Sequence, residues 1–172
     1  MKIVARQITS FLAKPPDKIS AILLHGTDSG LRSSRSQQLA NHYSDDLDDV
    51  FSVTRISGAS LSGEPGKIAD AAAEIPMFGN RLVLVKASGT ELLEACKLLL
   101  TKPVDSSIVI IDANDTTTKH AVVKLFELSD TAAAIGCYPD NDEDIQQLAQ
   151  TIFRQDNVSV DCDGLALISS RL

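Results

Sequence analysis

Tryptophan is absent from this 172-residue sequence, and the aromatic share is only 4%. A core built from such a chain must be mostly Leu, Ile, Val and Ala, and the 44% apolar content is enough for one ordinary domain. Cysteine is scarce too. Cys96, Cys137 and Cys162 stand far apart, without a C-x-x-C spacing or a histidine near enough to complete a metal site. That pattern excludes a disulfide framework and a zinc cage, and implies buried free thiols in a reducing compartment. No apolar run reaches the ~18 residues of a membrane span, and the amino terminus lacks a signal-peptide core, so the expected location is cytoplasmic, with no membrane partner. Positive charge is also short: 16 Lys and Arg stand against 23 Asp and Glu, a net charge of −7. Such a surface argues against this chain gripping nucleic acid by itself.

What is present is strand–helix alternation. Five β-rich runs recur at 19–25, 52–56, 81–86, 107–112 and 132–138, the central ones nearly continuous in apolar residues, as parallel strands covered on both faces are. Between them lie helical stripes: Leu39, Tyr43 and Leu47; Ile68, Ala71, Ala72 and Ile75; Leu92, Cys96, Leu99 and Leu100; Val122, Leu125 and Phe126. Pro65 suits the first turn of the second helix, and Thr116 to Thr118 offer caps for the last. The alternation predicts a three-layer α/β domain with a parallel sheet. An acidic turn at Pro139 to Asp144 then ends the pattern, and Ile145, Leu148, Ala149, Ile152 and Phe153 start a purely helical one, followed by Leu165, Ile168 and Leu172 after Asp161 as a cap. We place a boundary there, with an α/β domain over 1–139 and part of a helical unit over 140–172. That second unit lacks a cover for its apolar faces, so the expectation is a fragment of a longer protein.

The first strand runs directly into Gly26-Thr27-Asp28-Ser29-Gly30-Leu31-Arg32-Ser33. A working phosphate-binding loop needs Gly, four residues, then Gly-Lys-Ser/Thr, so that backbone N–H groups surround the phosphates and the Lys reaches them. Here Leu31 replaces the second Gly, Arg32 replaces the Lys, and Asp28 puts a carboxylate where phosphate would sit. Asp112, ending the run 107–112, is a candidate Mg²⁺ ligand, but Ala113 follows where a catalytic acid is expected. The sequence has no H-E-x-x-H and no G-x-S-x-G. His25, His42 and His120 are scattered, structural or solvated rather than catalytic. The expectation is no catalysis, no cofactor and no bound metal. A second segment stands out at Ile75-Pro76-Met77-Phe78. Pro76 ends the helix before it, leaving Met77 and Phe78 on a short connection. Two readings stay open there: core residues closing a corner, or an anchor for a partner's pocket.

Three stretches together resemble the delta subunit of the bacterial DNA polymerase III clamp loader. They are Gly26-x-Asp28-x-x-Leu31 after a strand, the run from Ile75 through Arg81 to Val85, and Lys119-x5-Leu125-Phe126-Glu127 followed by Cys137-Tyr138 and an acidic entry to the helices. They span nearly the whole chain in the order of that family, with Met77 where the family more often has Leu. The resemblance implies a RecA-like AAA+ domain and part of a helical lid, the C-terminal collar being absent. It implies binding and opening of a sliding-clamp (beta) ring through Ile75, Pro76, Met77 and Phe78. It also implies association with other loader subunits, contact with DNA only through the assembled loader, and no ATP hydrolysis by a subunit of this DNA-directed DNA polymerase holoenzyme. Gly26, Asp28, Gly30, Leu31 and Arg32 would then be scaffold, Leu31 packing where phosphate sits in a working loop. The competing expectations are a weak P-loop NTPase or kinase using Arg32, Ser33 and Asp112, and an adaptor of the same fold with another protein partner.

Overall fold

The computed structural model describes residues 1–74, 80–101 and 106–139, and beyond these only Gln150, Phe153, Val158, Val160, Asp161, Gly164 and Leu167. The elements run β1 (Lys2–Ile3), α1 (Ala5–Ala13), β2 (Ala21–His25), α2 (Ser29–Tyr43), β3 (Val53–Ser57), a 3₁₀ turn (Gly58–Ser60), α3 (Lys67–Ala73), β4 (Arg81–Ser88), α4 (Gly89–Thr101), β5 (Ser107–Asn114), α5 (Ala121–Leu128) and β6 (Ala132–Gly136). The strands form one parallel sheet in the order β1-β6-β2-β5-β4-β3.

The period of two along each strand sorts its side chains between two cores. Ala21 and Leu23 of β2, with Val109, Ile111 and Ala113 of β5, meet Ile68, Leu92, Cys96, Val122 and Phe126 from α3, α4 and α5. Ile22 and Leu24, with Ile108 and Ile110, meet Phe11 and Leu12 of α1 and Leu39 and Ala40 of α2. The domain is therefore three-layered, with α3, α4 and α5 on one face and α1 and α2 on the other. The chain leaves β2 toward β3 over one face and leaves β5 toward β6 over the other. The topological switch thus lies at the carboxyl ends of β2 and β5, where sheets of this kind place their ligand crevices.

The structure adds two elements that the sequence pattern does not announce. β1 is too short to show alternation, and α1 precedes the first recognised strand. Three boundaries also shift. α2 stops at Tyr43 rather than continuing to Leu47, because the Asp-rich turn offers its own bonds: Ser44 Oγ donates to the Asp46 carbonyl, and the Asp48 N–H donates to Asp46 Oδ1 at 2.9 Å. α3 begins at Lys67 with Gly66 as its N-cap, so Pro65 lies outside the helix. The N-cap of α5 is His120, while Thr116 is fully buried and donates to the Asn114 carbonyl.

The chain divides into two compact units, Met1–Tyr138 and Pro139–Leu172. In the second, Asp161 Oδ1 accepts from the Gly164 N–H at 2.8 Å, the geometry of a helix N-cap. Of its two apolar stripes, only Phe153 falls among the described residues, and it is helical. Cys96 and Cys137 are free and buried; Cys162 lies outside the described residues.

The cores rest on close packing without large aromatics, and Phe126, with no exposed surface, is the largest side chain that α5 contributes. Phe126→Ala leaves a cavity under three helices and is expected to cost about 3–5 kcal/mol. A urea titration reads this as a lower midpoint with an unchanged slope.

Candidate functional site

The turn from β2 into α2 is fastened by its own backbone. Gly26 has φ +133°, and a Cβ there would lie 2.0 Å from the Cys137 carbonyl oxygen, so only glycine fits. Its N–H donates to the Thr116 carbonyl at 2.8 Å, and the Asp28 N–H donates to the Cys137 carbonyl at 3.1 Å. These bonds strap the turn to the loop after β5 and to the end of β6. Asp28 then caps α2, its Oδ1 accepting the Leu31 N–H at 2.8 Å and its carbonyl accepting the Arg32 N–H. An anion at a helix start needs N–H groups such as Leu31's to be free. Here a carboxylate of the chain itself takes that position. Gly30 lies in the first turn of α2, and Leu31 packs against the core between α1, α2 and the sheet.

Arg32 completes this arrangement. Its Nε donates to Asp112 Oδ1 at 2.7 Å, Nη1 to the Gly26 carbonyl at 2.5 Å, and Nη2 to Asn114 Oδ1 at 3.2 Å. Both charged side chains are buried, 7% and 10% exposed. The meeting follows from strand alternation: Asp112 and Asn114 share the α2 face of β5 with Ile108 and Ile110. Arg32 stays charged at any ordinary pH, so a buried position requires a compensating carboxylate. Each of the three guanidinium nitrogens thus donates to an acceptor within the protein. The other Asp112 oxygen lies 4.0 Å from Lys86 Nζ. Ser33, Lys86 and Asp112 line the floor of a cleft of about 540 Å³ together with Arg55 and Lys67. Among the described residues no group of three His, Cys, Asp or Glu side chains could hold a metal ion. Of the residues expected for nucleotide chemistry, Arg32 and Asp112 come together as partners of one another, while Ser33 lines the cleft beside them. Asn114, the third leg of the clamp, gave no sequence signal because its role depends on register.

Beside the turn, on the opposite face, His25 is buried, with Nδ1 3.3 Å from the Tyr138 hydroxyl and the two rings edge to face at 5.9 Å. The Tyr138 hydroxyl also accepts the Thr118 N–H at 3.2 Å. Burial pushes the imidazole down to about 4, the nearby Glu127 opposing this and Lys2 adding to it. Arg35, one turn after Arg32, donates to the Gly136 carbonyl at 2.7 Å and ties α2 to β6.

Ile75, Pro76, Met77 and Phe78 lie outside the described residues. The residues bracketing them are well anchored. Arg81, the first residue of β4, forms an ion pair with Glu74, the C-cap of α3, through Nη2. The same Nη2 donates to Thr54 Oγ1 at 2.8 Å, and Nη1 donates to the Phe51 carbonyl at 3.2 Å. One guanidinium thus joins both ends of the connection to the edge strand β3.

Two tests follow from this geometry. Asp112→Ala strands a buried cation and should destabilise by about 3–5 kcal/mol, whereas Arg32→Met combined with Asp112→Leu should recover most of that loss. Chemical denaturation of the three proteins measures it. For His25, the folded protein rejects a proton that the unfolded chain binds between its ordinary value of 6.5 and about 4. Stability is therefore complete above pH 6.5 and declines on acidification through that window, by on the order of 1–2 kcal/mol. His25→Gln should flatten the upper part of this decline, where carboxylates have yet to titrate, in melts recorded across pH.

No protein-family model matches this chain, and no curated protein sequence does. Among solved structures it is similar to the Bacillus subtilis DNA clamp loader delta protein, with a TM-score of 0.64 and 14% identity over 95% of this chain and 51% of that one. It is also similar to a DNA polymerase III gamma subunit-related protein from Thermotoga maritima, with a TM-score of 0.51 and 12% identity over 87% of this chain and 52% of the other. The chain spans about half the length of each. At such identities the likeness establishes the fold alone: a six-stranded parallel α/β sheet with helices, like that of these two proteins.

Proposed function

We propose that this chain is a delta-type clamp-loader piece that binds a sliding-clamp ring and helps open it, without hydrolysing ATP. The observation that carries the reading is the occupied phosphate loop. In a clamp-loader-like fold, the helix start is capped by Asp28 and the Lys position is an arginine whose three nitrogens are bonded to Asp112, Gly26 and Asn114. A subunit so arranged takes part through its surfaces. ATP held by other subunits of the loader would control when those surfaces are presented, and DNA would be met only through the assembly. No helix among the described residues is long and apolar enough to cross a membrane, consistent with work in a replication complex.

In this reading Met77 and Phe78 enter an apolar pocket on the clamp, with Ile75 and Pro76 shaping the approach. Burying two such side chains supplies on the order of 3–6 kcal/mol before ordering costs. The Glu74–Arg81 pair lowers part of that cost by fixing the ends of the connection. Opening the ring requires more than affinity: the chain must bind the open ring better than the closed one.

Calorimetry against the sliding clamp of the same organism tests this. Met77→Ala/Phe78→Ala is expected to weaken binding at least ~100-fold with an unchanged melting temperature, as loss of two central anchors does. Unchanged affinity would sink the anchor assignment, and a large drop in stability would make the pair core residues. Millimolar Mg-ATP should give no binding signal. Micromolar binding abolished by Asp112→Ala would instead favour an NTPase.

A further inference from the structure

The cleft of about 540 Å³ beside the Arg32–Asp112 pair has two walls of different chemistry. One is a flank of α2. Ser33, Ser36, Gln37 and Ala40 line it at helical spacing, so it runs about two turns, roughly 10 Å, and carries only small or uncharged side chains. The other wall is the carboxyl end of β3 and β4, where Arg55 stands abreast of Leu84 and Ser57 abreast of Lys86. Toward that end the sheet emerges from its cover. Val53 and Leu82 are buried, Leu84 is half-buried, and Arg55, Ser57 and Lys86 are exposed. Lys67, the first residue of α3, lines the same groove.

Charge in the groove runs against that of the chain. The sequence carries a net −7, yet the lining sets Arg55, Lys67 and Lys86 against the single carboxylate of Asp112. Asp112 is already bonded to Arg32, so Lys86, 4.0 Å from its other oxygen, is a second cation on one carboxylate. Arg55 lies 3.9 Å from Asp48 and donates to the Leu47 carbonyl, and Lys67 lies 3.6 Å from Glu64. Asp48 and Glu64 are not part of the lining, and their side chains are 100% and 71% exposed. Ion pairs so loose and so wet contribute little, and a partner's carboxylates can replace them at small cost.

We propose that this groove takes an extended acidic segment of a partner protein, its carboxylates meeting Arg55, Lys67 and Lys86 and its backbone lying along the Ser33–Ala40 flank of α2. Size favours a peptide over a small anion, because one phosphate would fill little of the groove and the three cations stand on three different elements. No aromatic side chain is among the described residues that line it, so a nucleobase has nothing to stack on. A nucleic-acid strand also brings phosphates along its whole length against a net −7, whereas a protein segment can confine its carboxylates to the groove. The site uses none of residues 75–78 and does not rest on clamp binding.

Fluorescence anisotropy of a labelled oligoglutamate peptide with the whole chain tests this, an oligoglutamine peptide serving as the neutral control. Wild type should bind the first and not the second, and more weakly as salt rises. Lys67→Gln/Lys86→Gln should lose affinity ~10-fold. Gln37→Trp, which narrows the groove without changing its charge, should weaken binding as well; if that variant melts early, the lysine variant decides. Lys14→Gln/Lys97→Gln removes the same charge from exposed positions outside the lining and should stay within about twofold of wild type. No binding by wild type, unchanged affinity in the Lys67/Lys86 variant, or an equal loss in the Lys14/Lys97 variant would each overturn the proposal. Inorganic phosphate or a single-stranded oligonucleotide that binds more tightly than the peptide, with the same dependence on Lys67 and Lys86, would assign the groove to phosphates and overturn it too. The assay contains no clamp, so its failure leaves the clamp-binding reading untouched.

Discussion

The Arg32 guanidinium is the point on which the domain's switch region depends. A buried arginine cannot shed its charge, so every surrounding element must supply an acceptor or the region does not fold. The turn after β2 supplies the Gly26 carbonyl, β5 supplies Asp112 and Asn114, and α2 supplies the arginine itself. Gly26 follows from the same demand. Its carbonyl must face Arg32 while its N–H reaches Thr116, with Cys137 pressed against its Cα, and only a residue without Cβ accepts φ +133° in that space. The Asp28 cap then sets a carboxylate of the chain against the Leu31 N–H at the start of α2. The geometry of a phosphate site survives with its charges answered internally.

A buried pair of this kind need not make the protein more stable than a well-packed apolar cluster would. Its consequence is specificity: Arg32 and Asp112 bond in one register of α2 against β5, and the carboxyl end of the sheet is locked by that match. The opposite end has a counterpart in Arg81, 8% exposed, which gathers Phe51, Thr54 and Glu74 around the start of β4. The first arginine closes a crevice. The second steadies a rim.

Much of this could be read in the chain because the central strands are buried on both faces and so write continuous apolar runs. The helical stripes at Ile68, Ala71 and Ala72 and at Leu92, Cys96 and Leu99 are legible for the matching reason, each covering one sheet face. β1 and α1 escaped because a two-residue strand has no period and its pairing with β6 lies far along the chain. The cap of α5 falls at His120 rather than Thr116 to Thr118, and the Thr116 hydroxyl bonds instead to the Asn114 carbonyl within the turn. Arg32 and Asp112 each drew attention separately as remnants of nucleotide chemistry. That they bond to one another depends on a contact between residues 80 positions apart, which local pattern does not encode.

The same distinction separates two apolar pairs of this chain. Met77 and Phe78 stand out in sequence because two large apolar residues follow a helix-ending proline. Val50 and Phe51 do not, since an apolar pair before a strand reads as the start of that strand. Only the bonds of Asp49 to the Phe51 N–H and the Ser52 hydroxyl make a turn there, and the pair is left exposed on it. For a ligand proposed to favour an open ring over a closed one, affinity alone is not enough: uniform contacts bind both states alike, and the difference must come from contacts that fit only one.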